Sequence, residues 1–131
     1  MNMTATRKMD ALNRVVLPAD MRAALGITPK TGITVEEVTP NVVALTADDT
    51  GLIVRHIDEL GRILLSPQIR EEMNLDEKAE VRLVCADGRI LISAAVPVCR
   101  ICGHELEGET VQLHGYSVCA ECVRALQKEA V

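Results

Sequence analysis

The chain matches itself. Shifted by 48 positions, residues 7–17 lie over residues 55–65 without a gap. Arg7 meets Arg55, Asp10 meets Asp58, Leu12 meets Leu60, Arg14 meets Arg62 and Leu17 meets Leu65. Farther along, Arg22 meets Arg70, Ile27 meets Leu75, Ile33 meets Val81, and Val42-Val43 meet Ile90-Leu91. These identities fall on arginine, aspartate and leucine, and the other matches named keep apolar character. Chance does not hold both sets in one register over about forty residues. The chain therefore divides into a first repeat over residues 4–47, a second over residues 52–95, and a third segment over residues 98–131.

Each repeat has the same coarse plan. A short strand ends at Asp10 or Asp58, and a turn follows in which Asn13 or Gly61 supplies the flexible position. A second strand covers residues 15–17 or 63–65. A short helix comes next, opened by Pro18 in the first repeat and by Ser66 as N-cap with Pro67 in the second. Gly26 and Asn74 stand where a left-handed C-cap is expected. A hairpin closes the unit, pairing residues 33–39 with 42–46 and residues 80–86 with 89–93. Asp87-Gly88 is a good two-residue hairpin turn, and Pro40-Asn41 is a weaker one. A unit of about 40 residues buries too little surface to stand alone. Two such units joined by the short polar stretch Ala47-Asp48-Asp49-Thr50-Gly51 should share one core.

That core must be aliphatic. Hydrophobic residues make up 48% of the chain, yet Tyr116 is its one aromatic. Single-strand nucleic-acid platforms are thereby disfavoured, because they stack bases on aromatic faces. The net charge of −5 argues mildly against nucleic acid in general. The acidity is uneven, however. The first repeat carries five basic residues (Arg7, Lys8, Arg14, Arg22, Lys30) against four acidic ones (Asp10, Asp20, Glu36, Glu37), whereas acidic residues outnumber basic ones in the second repeat and in the third segment. No stretch is apolar enough to suggest a membrane helix or a signal peptide, so a cytoplasmic protein is expected.

Residues 7–27 resemble the N-terminal DNA-binding segment of the AbrB and SpoVT transition-state regulators, and residues 55–75 resemble it again. Together the matches cover about two thirds of the chain. The resemblance implies a swapped-hairpin β-barrel made by two such units, here from one chain or swapped between two; the fold class expected is mainly β with short helices, with a small α+β module in the third segment. It also implies a role in binding double-stranded DNA. The arginines at the positions of Arg7, Arg14 and Arg22 contact DNA in that family, with Arg55, Arg62 and Arg70 as their second copy and Lys8 as a further basic position. A guanidinium bridges phosphate oxygens or reads a guanine edge bidentately, which gives these positions a physical rationale. The sequence departs from the family at Ala23 and Glu71, where a second arginine is common, and at His56, which replaces Lys8. The paired Asp-x-x-x-Arg motifs also resemble those of the MraZ regulators, although the repeats here lie closer together. Asp10 with Arg14, and Asp58 with Arg62, admit a plainer reading as ion pairs that shape the turns.

The third segment carries Cys99-Arg100-Ile101-Cys102 and, sixteen residues later, Cys119-Ala120-Glu121-Cys122. This spacing points to a tetrahedral four-thiolate zinc site, one ion per chain, with a structural role because no position is left open. Gly103 suits the tight knuckle after the first pair. Residues 120–131 read as a helix with Val123, Leu126 and Ala130 along one face. Knuckle, hairpin and helix resemble a treble-clef zinc finger. His104 and His114 are expected in exposed loops, and Cys85 is expected buried in a strand. The segment is acidic, so it is expected to serve oligomerisation or a protein partner and not base reading.

Two function classes follow. The first is a DNA-binding regulator acting as a homodimer or higher homo-oligomer. The second is an antitoxin-like or adaptor protein working through protein contacts. No Gly-rich phosphate loop, nucleophile elbow or Cys/His pair suggests an enzyme.

Overall fold

The computed structural model describes residues 3–39, 41–73, 75, 79–95, 98–106, 108–113 and 116–129. Asn74, His114, Ala130 and the Pro40 half of the Pro40-Asn41 turn lie outside the described residues. The first repeat contributes β1 (Met3–Lys8), β2 (Arg14–Val16), α1 (Ala19–Leu25), β3 (Ile33–Thr39) and β4 (Val42–Thr46). The second contributes β5 (Val54–Arg55), β6 (Arg62–Leu64), α2 (Pro67–Glu72), β7 (Glu80–Ala86) and β8 (Arg89–Ala94). The third segment adds β9 (Thr110–Leu113), β10 (Tyr116–Cys119) and α3 (Ala120–Glu129). The protein is mainly β with short helices.

Local chemistry sets the element ends. Ser66 Oγ accepts from the Ile69 N–H at 3.2 Å, capping α2 with Pro67 at its first position. Pro18 is the residue before α1 and makes no side-chain cap, as its chemistry requires. Gly26 ends α1 at φ 66°, and the Ile27 N–H returns to the Arg22 carbonyl at 2.8 Å. The same return bond runs from Leu75 to Arg70 at 3.0 Å, and the α2 cap itself is Met73 at φ −85°. Asp87 and Gly88 both take positive φ, at 53° and 78°, the tight turn that joins β7 to β8.

The two repeats trade strands. Neither β1 nor β5 pairs within its own repeat: β1 runs antiparallel to β7, and β5 runs antiparallel to β3. The hairpins β3–β4 and β7–β8 meet through β4 and β8, giving a six-stranded sheet of order β1-β7-β8-β4-β3-β5. Reversing this order and exchanging the repeats reproduces it, which is the signature of a pseudo-twofold axis. A second sheet is the ribbon of β2 and β6, where Val15 stands opposite Ile63, its own counterpart at the 48-residue shift. The sheets are open. β1 and β5 are edges, and the β2–β6 ribbon stands apart, so these pairings do not close the barrel that the family resemblance implies. β5 has only two residues where β1 has six.

The core lies between the sheets and under the helices. Val15, Leu17, Met21, Ile33, Leu45, Ile63, Leu65, Val81, Leu83, Ile90 and Ile92 are wholly buried, and they come from both repeats. Full burial of one such aliphatic side chain contributes roughly 1.5–3 kcal/mol. Cys85 is buried in the same cluster, as a small apolar residue. No helix among the described residues is long and apolar enough to cross a membrane.

Candidate functional sites: two crossed turns and a four-cysteine cluster

The first site grows from Asp-x-x-x-Arg. Asp10 Oδ1 accepts from the backbone N–H groups of Leu12 (2.9 Å) and Arg14 (2.8 Å), while its Oδ2 accepts from Arg14 Nε at 2.7 Å. Asp58 repeats the set with Leu60 (3.0 Å), Arg62 N (2.9 Å) and Arg62 Nε (2.6 Å). Each aspartate thus clips its own turn, so the ion-pair reading of the motif describes its geometry. Arg14 also faces the partner repeat, since its Nη1 lies 3.8 Å from Asp58 Oδ2. For Asp10, partial burial works to raise the carboxyl pKa, but the Arg14 and Leu12 hydrogen bonds outweigh it and hold the group below its ordinary value. For Asp58, the Arg62 backbone N–H leads, and the result is again a lowered pKa.

The turns cross between repeats. The Leu17 N–H donates to the Gly61 carbonyl and the Leu65 N–H to the Asn13 carbonyl, both at 2.8 Å. Asn13 and Gly61 both have positive φ, 63° and 80°. They read alike as turn formers in the sequence, but they meet different neighbours. Asn13 Oδ1 accepts from Arg70 Nη1 at 2.6 Å, a contact between repeats. At Gly61 the Arg22 guanidinium lies over the backbone, and a Cβ there would come within 2.8 Å of Arg22 Cζ. Arg22 Nε is meanwhile held by the Leu17 carbonyl at 2.9 Å, and Arg70 Nε by the Leu75 carbonyl at 3.3 Å. Four of the seven basic positions, Arg14, Arg22, Arg62 and Arg70, therefore gather on two crossed turns. Arg7, Lys8 and Arg55 are in none of these contacts: Arg7 and Lys8 are exposed on β1 opposite Val81 and Glu80, and Arg55 is half-buried opposite Ile33. Sequence reasoning missed Asn13 and Gly61 as seats for the arginines of the other repeat. The available signal was the Asn/Gly mismatch inside an otherwise matched register.

Apolar side chains flank the arginines. Leu12 and Leu60 at the turn tips are 62% and 66% exposed, and Val16 and Leu64 on the outer side of the ribbon are each 38% exposed. The exposures of each pair agree closely, as the pseudo-twofold requires.

The second site is the cysteine cluster. The Gly103 N–H donates to the Cys99 carbonyl at 3.0 Å, with Gly103 at φ 76°, and the Cys99 N–H donates to the His104 carbonyl at 2.8 Å. This knuckle carries Cys99 and Cys102. The hairpin β9–β10 delivers Cys119, and the first turn of α3 delivers Cys122. The four Sγ atoms all lie within 4.8 Å of one another, and Cys102 and Cys119 are 3.9 Å apart. A tetrahedron with ~2.3 Å metal–sulfur bonds has edges of ~3.8 Å, so the donor set fits a tetrahedral metal ion. Burial opposes charge on Cys99, yet N–H groups of Cys102, Cys119 and Ile101 point at its sulfur and lower its pKa to about 6. Crowding by the Cys119 sulfur, aided by burial, pushes Cys122 up to about 12. Four adjacent sulfurs cannot all ionise without a cation among them. His104 is exposed, and its backbone carbonyl serves the knuckle.

Arg100, between the first two cysteines, ties this segment to the repeats. Its Nη1 donates to the Glu72 carbonyl at the end of α2 (3.0 Å), and its guanidinium stands 5.1 Å from the Tyr116 ring centre.

No protein-family model matches the chain, and no curated protein is similar enough to count as a relative.

The clips have a defined pH dependence. Because the folded pKa values of Asp10 and Asp58 lie below the unfolded value of about 3.9, their contribution is complete above that value and is lost as pH falls through the folded pKa. An Asp10→Asn/Asp58→Asn variant should therefore lose less stability than the parent between about pH 5 and pH 2. Urea unfolding across that range measures it, and parallel profiles would show the clips to be energetically silent.

Proposed function

We propose that this chain is a double-stranded DNA-binding transcription regulator of the AbrB/SpoVT swapped-hairpin class, held in part by a structural zinc ion. The observation that carries the reading is the gathering of four guanidiniums on two crossed turns around two carboxylates, a locally cationic surface on an acidic protein. The surface repeats about the pseudo-twofold, so it suits two similar half-sites on a duplex. Arg14 and Arg62, on the outer side of the β2–β6 ribbon, are assigned to phosphate or base contact. Arg22 and Arg70, each bound to backbone and seated on the opposite turn, are assigned to holding that turn in place. Because both repeats come from one chain, a twofold DNA surface needs no second copy. Homo-oligomerisation or partner contact is assigned to the zinc segment.

The adaptor reading has one observation in its favour, the exposed leucines at the turn tips. Fluorescence anisotropy with duplex DNA across salt separates the two. The regulator reading expects an Arg14→Ala/Arg62→Ala variant, with folding checked by circular dichroism, to bind at least tenfold more weakly. Its slope of log affinity against log salt should be shallower by about 1–2, near one unit for each phosphate that is no longer neutralised. A Leu12→Ser/Leu60→Ser variant should change DNA affinity little. DNA affinity indifferent to the arginines would favour the adaptor.

The donor set of four thiolates is that of a zinc site, with Cys99, Cys102, Cys119 and Cys122 as ligands. Bound zinc would fold the third segment by linking its knuckle to its helix. Native mass spectrometry should report one zinc per chain. A chelator should remove it together with the ordered structure of residues 98–131, and a zinc-free chain with that segment still ordered would contradict the assignment.

A further inference from the structure

The pseudo-twofold is broken at the outer edges of the six-stranded sheet. In one half, β1 covers the outer edge of β7 along its length, with Thr4 opposite Val84 and Met3 opposite Cys85. In the other half, β5 pairs with β3 only at Ile33 and Thr34, followed by one bond from the Val35 N–H to the Ile53 carbonyl at 2.9 Å. The chain then turns away. The Gly51 N–H donates to Thr34 Oγ1 at 3.1 Å, and Thr34 Oγ1 donates to the Asp48 carbonyl and carboxylate at 2.9 and 2.8 Å. A side chain at Gly51 would run into Thr34. The linker is thereby folded back, and among the described residues no strand lies along β3 from Glu36 to Thr39 on that side.

What remains is a groove of about 460 Å³ between the β3 edge, the linker and the start of α2. Its lining is mostly apolar and includes Val35, Leu52, Ile53 and Ile69. Leu52 is fully exposed and Ile53 is 48% exposed. Single exposed apolar residues need no explanation, but two adjacent ones beside an uncovered strand edge and a groove do. The rim is acidic: Glu36 and Glu37 line the groove. Glu37 is crowded by Glu72, whose carboxyl hydrogen-bonds to it, so its pKa is raised.

We propose that this groove binds a short extended segment of a partner protein, with apolar residues alternating with lysine or arginine, added as a strand to the open edge of β3. The first half of the molecule supplies the precedent, because the equivalent edge of β7 is covered by an extended strand. Charge complementarity selects the occupant. A cation beside Glu36 and Glu37 would relieve the carboxylate crowding. A second β3 edge would bring four glutamates together, and the bulge between Glu37 and Thr39 bends the strand end against such pairing. Backbone hydrogen bonds to the edge give affinity in this mode, and alternate side chains give specificity. The inference does not depend on DNA binding.

The test uses the full chain and a fluorescent, end-capped heptapeptide of alternating valine and lysine. Saturable binding is expected. A Glu36→Lys/Glu37→Lys variant should bind at least tenfold more weakly, as should Leu52→Asp, a substitution at a fully exposed position that spares the fold. The same peptide N-methylated at alternate amides should also bind at least tenfold more weakly, because it cannot complete the ladder. Absence of saturable binding, or binding that survives the charge reversal or the N-methylation, would overturn the proposal. A concentration-dependent dimer dissolved by Glu36→Lys/Glu37→Lys would place a second copy in the groove and overturn the partner assignment.

Discussion

Everything in the paired repeats depends on one exchange: each repeat completes the other's sheet and holds the other's turn. The Leu17 N–H reaches the Gly61 carbonyl, and the Leu65 N–H reaches the Asn13 carbonyl. Val15 and Ile63, side by side on the axis, are buried by that pairing. Neither repeat has an edge strand of its own for its hairpin, so half of the unit would leave apolar faces and ladder groups uncovered. Interlocking also explains the absence of aromatic residues from the paired repeats. Two thin, interleaved layers are filled by valine, leucine, isoleucine and methionine, whose volumes fit between closely spaced strands.

The exchange also gathers the arginines that the proposed function assigns to DNA. Arg22 and Arg70 leave their helices to rest on the turns of the opposite repeat, so both turns take one shape only when both repeats are in place. Arg14 and Arg62 are held by carboxylates in the same turns. An arginine fixed this way has given up much of its conformational freedom before it meets a phosphate, which lowers the entropy cost of the encounter. On the proposed reading the acidic net charge is offset locally, because Arg14, Arg22, Arg62 and Arg70 gather at the two turns. The cysteine segment is coupled to this body by Arg100, which bonds to the end of α2.

Much of this was legible in the sequence. The register of 48 residues carried the strand plan, the Ser66 cap and the Asp87-Gly88 turn, because those are local rules. The cysteine spacing carried the cluster, because two-residue gaps constrain where the sulfurs lie. What stayed hidden was non-local. Asn13 and Gly61 read alike as turn residues, and only the crossed arrangement gives one an arginine to accept from and the other an arginine to accommodate. Arg22 and Arg70 looked like Arg14 and Arg62 because charge alone does not say which guanidinium is tied to backbone. The short β5 was hidden too, since the linker's backward fold depends on Thr34, seventeen positions from Gly51.

The central claim is that the two crossed turns form a single surface for duplex DNA. Titration of an isotope-labelled full chain with a short duplex, followed by amide and arginine Nε resonances, tests it most directly. The account predicts that residues 10–14 and 58–62 shift together and saturate together, with Arg14 and Arg62 Nε among the largest changes. Shifts confined to one turn or centred on the cysteine segment would contradict it, and so would a duplex that leaves both turns unmoved.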